Sequence, residues 1–178
     1  MPGMDDERFK KSVVLITSFS DDGAKGLIIN KQTEILSYKD ILEKNSENLN
    51  LKEFKFNKDI NVFYGGPVNC ERVVVLHSND YSIPETNQIL NTDCSITGSK
   101  KILPLLVDNK FPGKSKLIIG SSEWEAGQLE SEIKSSDWLI WDASNNIIFE
   151  ENPELIWLKV ITSMGINIGS LSNQRGFA

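Results

Sequence analysis

The sequence predicts an α+β fold, with strands pairing mainly as local hairpins and three to four helices between them. Three observations carry this. Short runs of β-branched and aromatic residues recur, several of them closed by a Gly, Asn or Asp turn signal. The clearest helix, over 152–165, has both of its ends marked. Strands and helices do not alternate regularly, which disfavours a doubly wound nucleotide-binding sheet.

Residues 12–19 (SVVLITSF) read as a strand, Asp21-Asp22-Gly23 as a turn, and residues 26–30 (GLIIN) as the hairpin partner. Ser37-Tyr38-Lys39-Asp40 has the spacing of a helix start, and Ile41 and Leu42 make a short helix there. The polar stretch 45–59 reads as a surface connection. Residues 60–64 (INVFY) form a strand ending on Gly65-Gly66-Pro67, and residues 72–77 (RVVVLH) form another, buried on both faces. A helix over 99–109 is expected to be short or kinked, because Pro104 deletes one of its hydrogen bonds.

Residues 116–120 (KLIIG) are a strand, followed by a loop carrying Trp124. Ala126, Leu129 and Ile133 then share one helix face, with Glu130 and Lys134 paired at i,i+4 outside. Residues 138–141 and 147–149 read as two strands around the hairpin signal Ser144-Asn145-Asn146. The last helix has Asn152 as N-cap, Pro153 at N1, Glu154 in the first turn and Gly165 just past its end. Trp157, Val160, Ile161 and Met164 make its packed stripe. The Ser/Asn/Gly-rich tail after 168 is expected to be mobile.

A chain of 178 residues fits one domain, here 1–178, and buries a core without a disulfide or a metal. Its net charge of −6 and its scattered lysine pairs (Lys10–Lys11, Lys100–Lys101, Lys114/Lys116, each read as a solvated edge) disfavour direct nucleic-acid binding. Nothing reads as a signal peptide or a membrane span, so the expected location is the cytoplasm. Cys70 and Cys94 make no CxxC motif and no disulfide framework.

His77 is the single histidine, so any Ser-His-Asp or Cys-His machinery must use it. Ser78 and Asp80 are close in sequence, yet a structural histidine at a strand end explains the same residues. Two cysteines and one histidine do not supply a zinc site. Glu123, Glu125, Glu130 and Glu132 fit a hard-cation cluster or paired carboxylates, but acids at a helix start suit the helix dipole without any ligand. Gly65-Gly66-Pro67 lacks the continuation of a phosphate loop. No catalytic residue, metal or cofactor is assigned.

Three blocks carry a resemblance. Residues 9–30 (FKKSVVLITSFSDDGAKGLIIN), 64–78 (YGGPVNCERVVVLHS) and 124–139 (WEAGQLESEIKSSDWL) strongly resemble the AlgH/YqgE family of bacterial proteins, in the family's order and across nearly the whole chain. The resemblance implies a mostly antiparallel, barrel-like sheet and, by association, transcriptional regulation. It carries over no catalytic residues. The chain departs from the family where Gly120-Ser121-Ser122-Glu123-Trp124-Glu125 is more acidic than usual. It also begins at Pro2-Gly3-Met4-Asp5, before which the family has a further hydrophobic strand, so either an edge strand is missing or the true start lies upstream.

The candidate binding surface is Gly65, Gly66, Pro67, Arg72, His77, Trp124 and Gln128. One reading makes it the contact face for a protein partner, with Arg72, Trp124 and Gln128 as anchors. The structural reading makes Trp124 a core plug, puts Arg72 in an ion pair and has Gln128 cap a loop. A third possibility places a small-molecule or catalytic site near His77.

Overall fold

The computed structural model describes residues 6–33, 62–98, 113–150 and 152–167. The helices expected over 37–42 and 99–109, the connection 45–59 and the tail after 168 lie outside the described residues. The strands are β1 (Val14–Ser20), β2 (Gly23–Ile28), β3 (Val62–Tyr64), β4 (Val68–Ser78), β5 (Thr86–Gln88), β6 (Cys94–Thr97) and β7 (Ser115–Glu125). The helices are α1 (Gln128–Lys134), α2 (Asn145–Ile148) and α3 (Pro153–Ser163).

The strands form one sheet in the order β1-β2-β7-β4-β6-β5, with β3 lying against β7. Every pairing is antiparallel except β3 with β7. β7 is the spine. Its first half pairs with β3 and β4, and its second half crosses to β2 through Gly23↔Glu125 and Ala24↔Trp124. Gly120, at φ 78, turns the strand between the two halves. The register of β4 shifts between Val68 and Val73, opposite that turn. The sheet therefore curls into an antiparallel half-barrel, and the fold class is α+β as expected.

Among the described residues, two apolar clusters fill it. Leu15, Leu27, Phe63, Leu76, Ile118, Ile148 and Ile156 form the larger, and Ala24, Trp124, Leu129 and Trp138 form the smaller. β1 serves both, with Leu15 in the first while Val14 and Ile16 pack on the second, as the strand pleat requires. The marked helix forms as expected. Asn152 Oδ1 accepts the Glu154 N–H at 3.1 Å, and the end closes with Gly165 N–H to Thr162 O at 2.9 Å and Ile166 N–H to Ile161 O at 3.2 Å. Val160, Ile161 and also Ile156 are buried, and each contributes about 2 kcal/mol of apolar burial.

Four expectations need correction. Residues 138–141 and 147–149 do not form a hairpin: 138–141 belong to no strand, and Asn145–Ile148 is a short helix. Ser144 caps that helix, its carbonyl accepting the N–H groups of Ile147 and Ile148 at 3.0 and 2.9 Å, so the turn signal marks a helix start. A short apolar run does not by itself distinguish the two outcomes. Trp124 stands in β7 and not in a loop, because Gly120 bends the strand without ending it and burial continues to alternate through Ser122 and Trp124. Ala126 is exposed and precedes α1, whose first turn starts after Gly127. Lys116 is buried, not part of a solvated edge.

Candidate functional site

The connection from β3 to β4 passes directly over the bend in β7. A Cβ on Gly65 would lie 2.3 Å from the Gly120 carbonyl oxygen, and one on Gly66 would lie 2.3 Å from that of Ser121. Gly66 also needs φ 146. Three hydrogen bonds tie the crossing down. Gly65 N–H donates to Ile119 O at 2.7 Å, while Gly65 O accepts Ile28 N–H at 2.9 Å and Ser122 Oγ–H at 3.2 Å. The glycines permit the contact of main chain on main chain, and Pro67 emerges beside Trp124.

Trp124 points from β7 into the space under α1. Its indole N–H donates to Glu132 Oε2 at 2.8 Å, and that of Trp138 donates to the same oxygen at 2.7 Å. Gln128 completes the lattice: its amide N–H donates to Glu132 Oε1 at 2.9 Å, and its Oε1 accepts the Glu125 N–H at 3.0 Å. The Trp138 ring meets Trp124 edge-on at 5.9 Å and Phe9 edge-on at 5.7 Å.

These side chains wall a concavity of about 470 Å³. Pro67, Trp124, Gln128, Trp138 and Phe9 line it, and Asp6, Glu123, Glu132 and Asp137 bring carboxylates to it, against the single guanidinium of Arg8. Arg8 donates Nε–H to both oxygens of Asp6 at 3.0 Å, and these bonds hold the Asp6 carboxyl below its ordinary range. Glu123 accepts from Asn69 Nδ2 at 3.0 Å and Ser121 Oγ at 3.2 Å, with Lys25 Nζ at 3.6 Å. A second concavity of about 530 Å³ shares Glu123, Trp124 and Gln128 and runs on past Asp22, Lys25 and Glu125.

Of the residues nominated by the sequence, Pro67, Trp124 and Gln128 line this concavity, Gly65 and Gly66 form the crossing that leads to it, and Arg72 and His77 lie elsewhere. Arg72 is exposed on the irregular part of β4 and has no hydrogen bond or ion pair among the described residues. His77 pairs with Ser115 at the start of β7, nine positions before Trp124 and on the other side of the Gly120 bend. His77 is fully buried. Its Nδ1 lies 2.8 Å from the Ser78 carbonyl, which can only accept, so Nδ1 carries the proton. In the neutral ring Nε2 then accepts the Thr97 hydroxyl at 2.9 Å, Thr97 Oγ1 accepts the Thr86 hydroxyl at 2.8 Å, and Thr86 Oγ1 accepts the Ile83 N–H at 3.0 Å.

Comparison with known proteins finds similar proteins in several bacteria. The family model described as AlgH-like matches residues 1–169. The chain belongs to the AlgH-like family. A UPF0301 protein of Cereibacter sphaeroides is 36% identical over 178 residues, covering 100% of this chain and 95% of that protein. One of Pseudoalteromonas translucida is 36% identical over 180 residues, covering 100% and 94%. The solution structure of the AlgH protein from Pseudomonas aeruginosa superposes with a TM-score of 0.79 at 30% identity, covering 100% of this chain and 92% of that one. The crystal structure of a Corynebacterium diphtheriae protein, at TM-score 0.64 and 19% identity over 99% and 87% of the two chains, shares the fold.

Sequence reasoning named Glu132 only as one of a cluster of acids and missed its part in building this concavity. Glu132 stands i+4 from Gln128 and could have been paired with it, but its bonds to the two indoles span eight and six residues, off the helical spacing, and leave no periodic signal. Lys116 was missed as well. Its Nζ donates to Ile29 O at 3.1 Å and lies 4.6 Å from the Phe63 ring centre. Burial pushes the amine down to about 8, against the opposing pull of Glu150.

Proposed function

We propose that this AlgH-like protein is a regulatory or adaptor protein of the cytoplasm that binds a partner protein at the Pro67/Trp124/Gln128 concavity. The observation carrying this reading is convergence. Pro67, Trp124 and Gln128, chosen from two stretches of sequence far apart, line one aromatic-walled hollow whose lining groups are held by hydrogen bonds. Interface anchors work best when seated in such a preorganised pocket. The carboxylates around it suit a partner that presents a basic side chain. The link to transcription suggested by the family resemblance then runs through a protein contact, since a net charge of −6 opposes direct DNA binding.

A site for small molecules or catalysis at His77 draws no support from its surroundings. The ring is buried and both nitrogens are hydrogen-bonded within the fold.

A photo-crosslinking side chain placed at Asp137, on the concavity, tests the proposal against the same group at Asn87 on β5. In host lysate treated with nuclease, Asp137 is expected to capture a discrete protein that Asn87 does not. Identical adducts from both positions, or none from Asp137, would overturn the reading.

A further inference from the structure

Residues 6–10 form one wall of the Trp124 concavity, through Asp6, Arg8 and Phe9. They are a small unit with bonds of their own. Phe9 N–H donates to Asp6 O at 2.9 Å and Lys10 N–H to Glu7 O at 3.4 Å, while Arg8 pairs with Asp6 and Lys10 with Glu7. Among the described residues, every hydrogen bond joining this unit to the chain beyond residue 12 comes from one side chain. Lys31 Nζ donates to Glu7 O at 3.2 Å and to Arg8 O at 2.6 Å. Lys31 is itself fixed, because its carbonyl accepts the Tyr64 N–H at 2.8 Å. Partial burial lowers the pKa of its amine, against the pull of Glu7 and Asp6, so the clamp is made at a cost.

The second tether is aromatic. The Phe9 ring meets Trp138 edge-on at 5.7 Å and packs on the cluster built by Ala24, Trp124, Leu129 and Trp138. Between this unit and β1 stands Lys11, at φ 52, in the left-handed region that residues with a Cβ rarely adopt. Beyond that joint the chain is held firmly. Asn30 Nδ2 donates to Lys11 O at 2.9 Å, and Asn30 Oδ1 accepts the Val13 N–H at 2.7 Å. A self-bonded unit, a strained joint and a fixed strand behind it are the parts of a hinge.

We infer that residues 6–10 are a gate on the concavity, swinging about Lys11 and latched shut by Lys31 on the Glu7 and Arg8 carbonyls. In the open position Phe9 leaves Trp138, and the concavity loses the wall made by Asp6, Arg8 and Phe9. Turning Lys11 out of the left-handed region relieves its strain. The same turn breaks two bonds that span the joint, from Ser12 N–H and Ser12 Oγ–H to Phe9 O, at 3.0 and 2.6 Å. With tethers this few, opening is a local event that leaves the sheet intact. Its role in admitting a larger side chain of the partner rests on the function proposed above.

The test uses the full chain carrying 4-fluorophenylalanine at position 9, with and without Lys31→Met. Fluorine NMR reads the ring against Trp138, and amide hydrogen exchange reads the joint. Lys31→Met is expected to enlarge the resonance of a solvent-exposed ring. It is also expected to speed exchange at Ser12 at least tenfold, with no change at Ile29, whose N–H bonds Val13 O within the sheet. An unchanged fluorine spectrum overturns the inference. So does equal acceleration at Ser12 and Ile29, which would mark unfolding of β1 and not a gate. Lys31→Met is further expected to retain at least threefold more of the lysate protein that crosslinks at Asp137. Equal retention by a variant whose gate stands open would remove the gate's role at the site. No crosslinked protein with either chain would sink the partner reading, and the fluorine spectrum would still decide the gate.

Discussion

Trp124 and Trp138 donate their indole N–H groups to one oxygen of Glu132, at 2.8 and 2.7 Å. That shared acceptor joins the end of β7, α1 and the chain beyond it, and it fixes the wall of the concavity. Glu132→Ala is expected to cost about 2–4 kcal/mol, because two largely buried donors lose their partner together. Urea denaturation measures this, and a loss below about 0.5 kcal/mol would show that the indoles do not depend on Glu132.

Gly66→Ala tests the crossing over β7. The new methyl would meet the Ser121 carbonyl at 2.3 Å in a backbone at φ 146. The expected loss is about 3 kcal/mol or more, from strain and overpacking together. Thermal unfolding reads it directly, and a Tm within a few degrees of wild type would contradict the crossing geometry.

Lys116 predicts a pH dependence of the same sign as acid denaturation, placed at alkaline pH. Its amine is pushed down to about 8 in the fold, from an ordinary value of 10.5 when unfolded. The unfolded chain therefore binds more protons between those values, and stability rises as pH climbs from about 8 to about 10.5. The full effect is of order 3 kcal/mol. Lys116→Met should stabilise the protein at pH 7 and remove most of that slope. Denaturant midpoints at pH 7 and pH 9.5 decide it, and an unchanged slope in the variant would assign the dependence to other groups.

His77→Ala separates structure from function at the single histidine. It removes both the ring and the acceptor of the Thr97 hydroxyl, with an expected cost of about 2–4 kcal/mol. Partner capture by the folded fraction should be unchanged. A variant of wild-type stability that no longer captures the partner would place His77 at the functional surface instead.

The legible parts of this chain were those whose signals are local. Asn152, Pro153 and Gly165 marked a helix that forms as read, and the turn at Asp21-Asp22-Gly23 placed β1 against β2. The sequence of Ser144-Asn145-Asn146 was compatible with either a hairpin turn or a helix cap, and packing of Ile148 in the core accompanies the helix. Trp124 and Gln128 were singled out from the sequence, but the two readings offered for them proved not to be exclusive. Trp124 is a core plug and Gln128 does cap a loop, and the same bonds that make them so shape the hollow they line. Arg72 matched neither an ion pair among the described residues nor a place on the concavity, because the irregular stretch of β4 carries it into solvent. Lys116 was illegible for a physical reason: its long apolar stem lets a charged residue be buried in a strand whose sequence looks like an ordinary edge.

The central claim is that the concavity around Trp124 receives a partner protein. Glu123→Lys tests it most directly, since Glu123 lies on the rim and its surface contacts contribute little to stability. The measurement is quantitative capture from nuclease-treated host lysate by wild type and variant of matched Tm, read by mass spectrometry. The account predicts a specific protein retained by wild type and reduced at least tenfold by Glu123→Lys. An identical retained set for both proteins, or one emptied by nuclease, would contradict it.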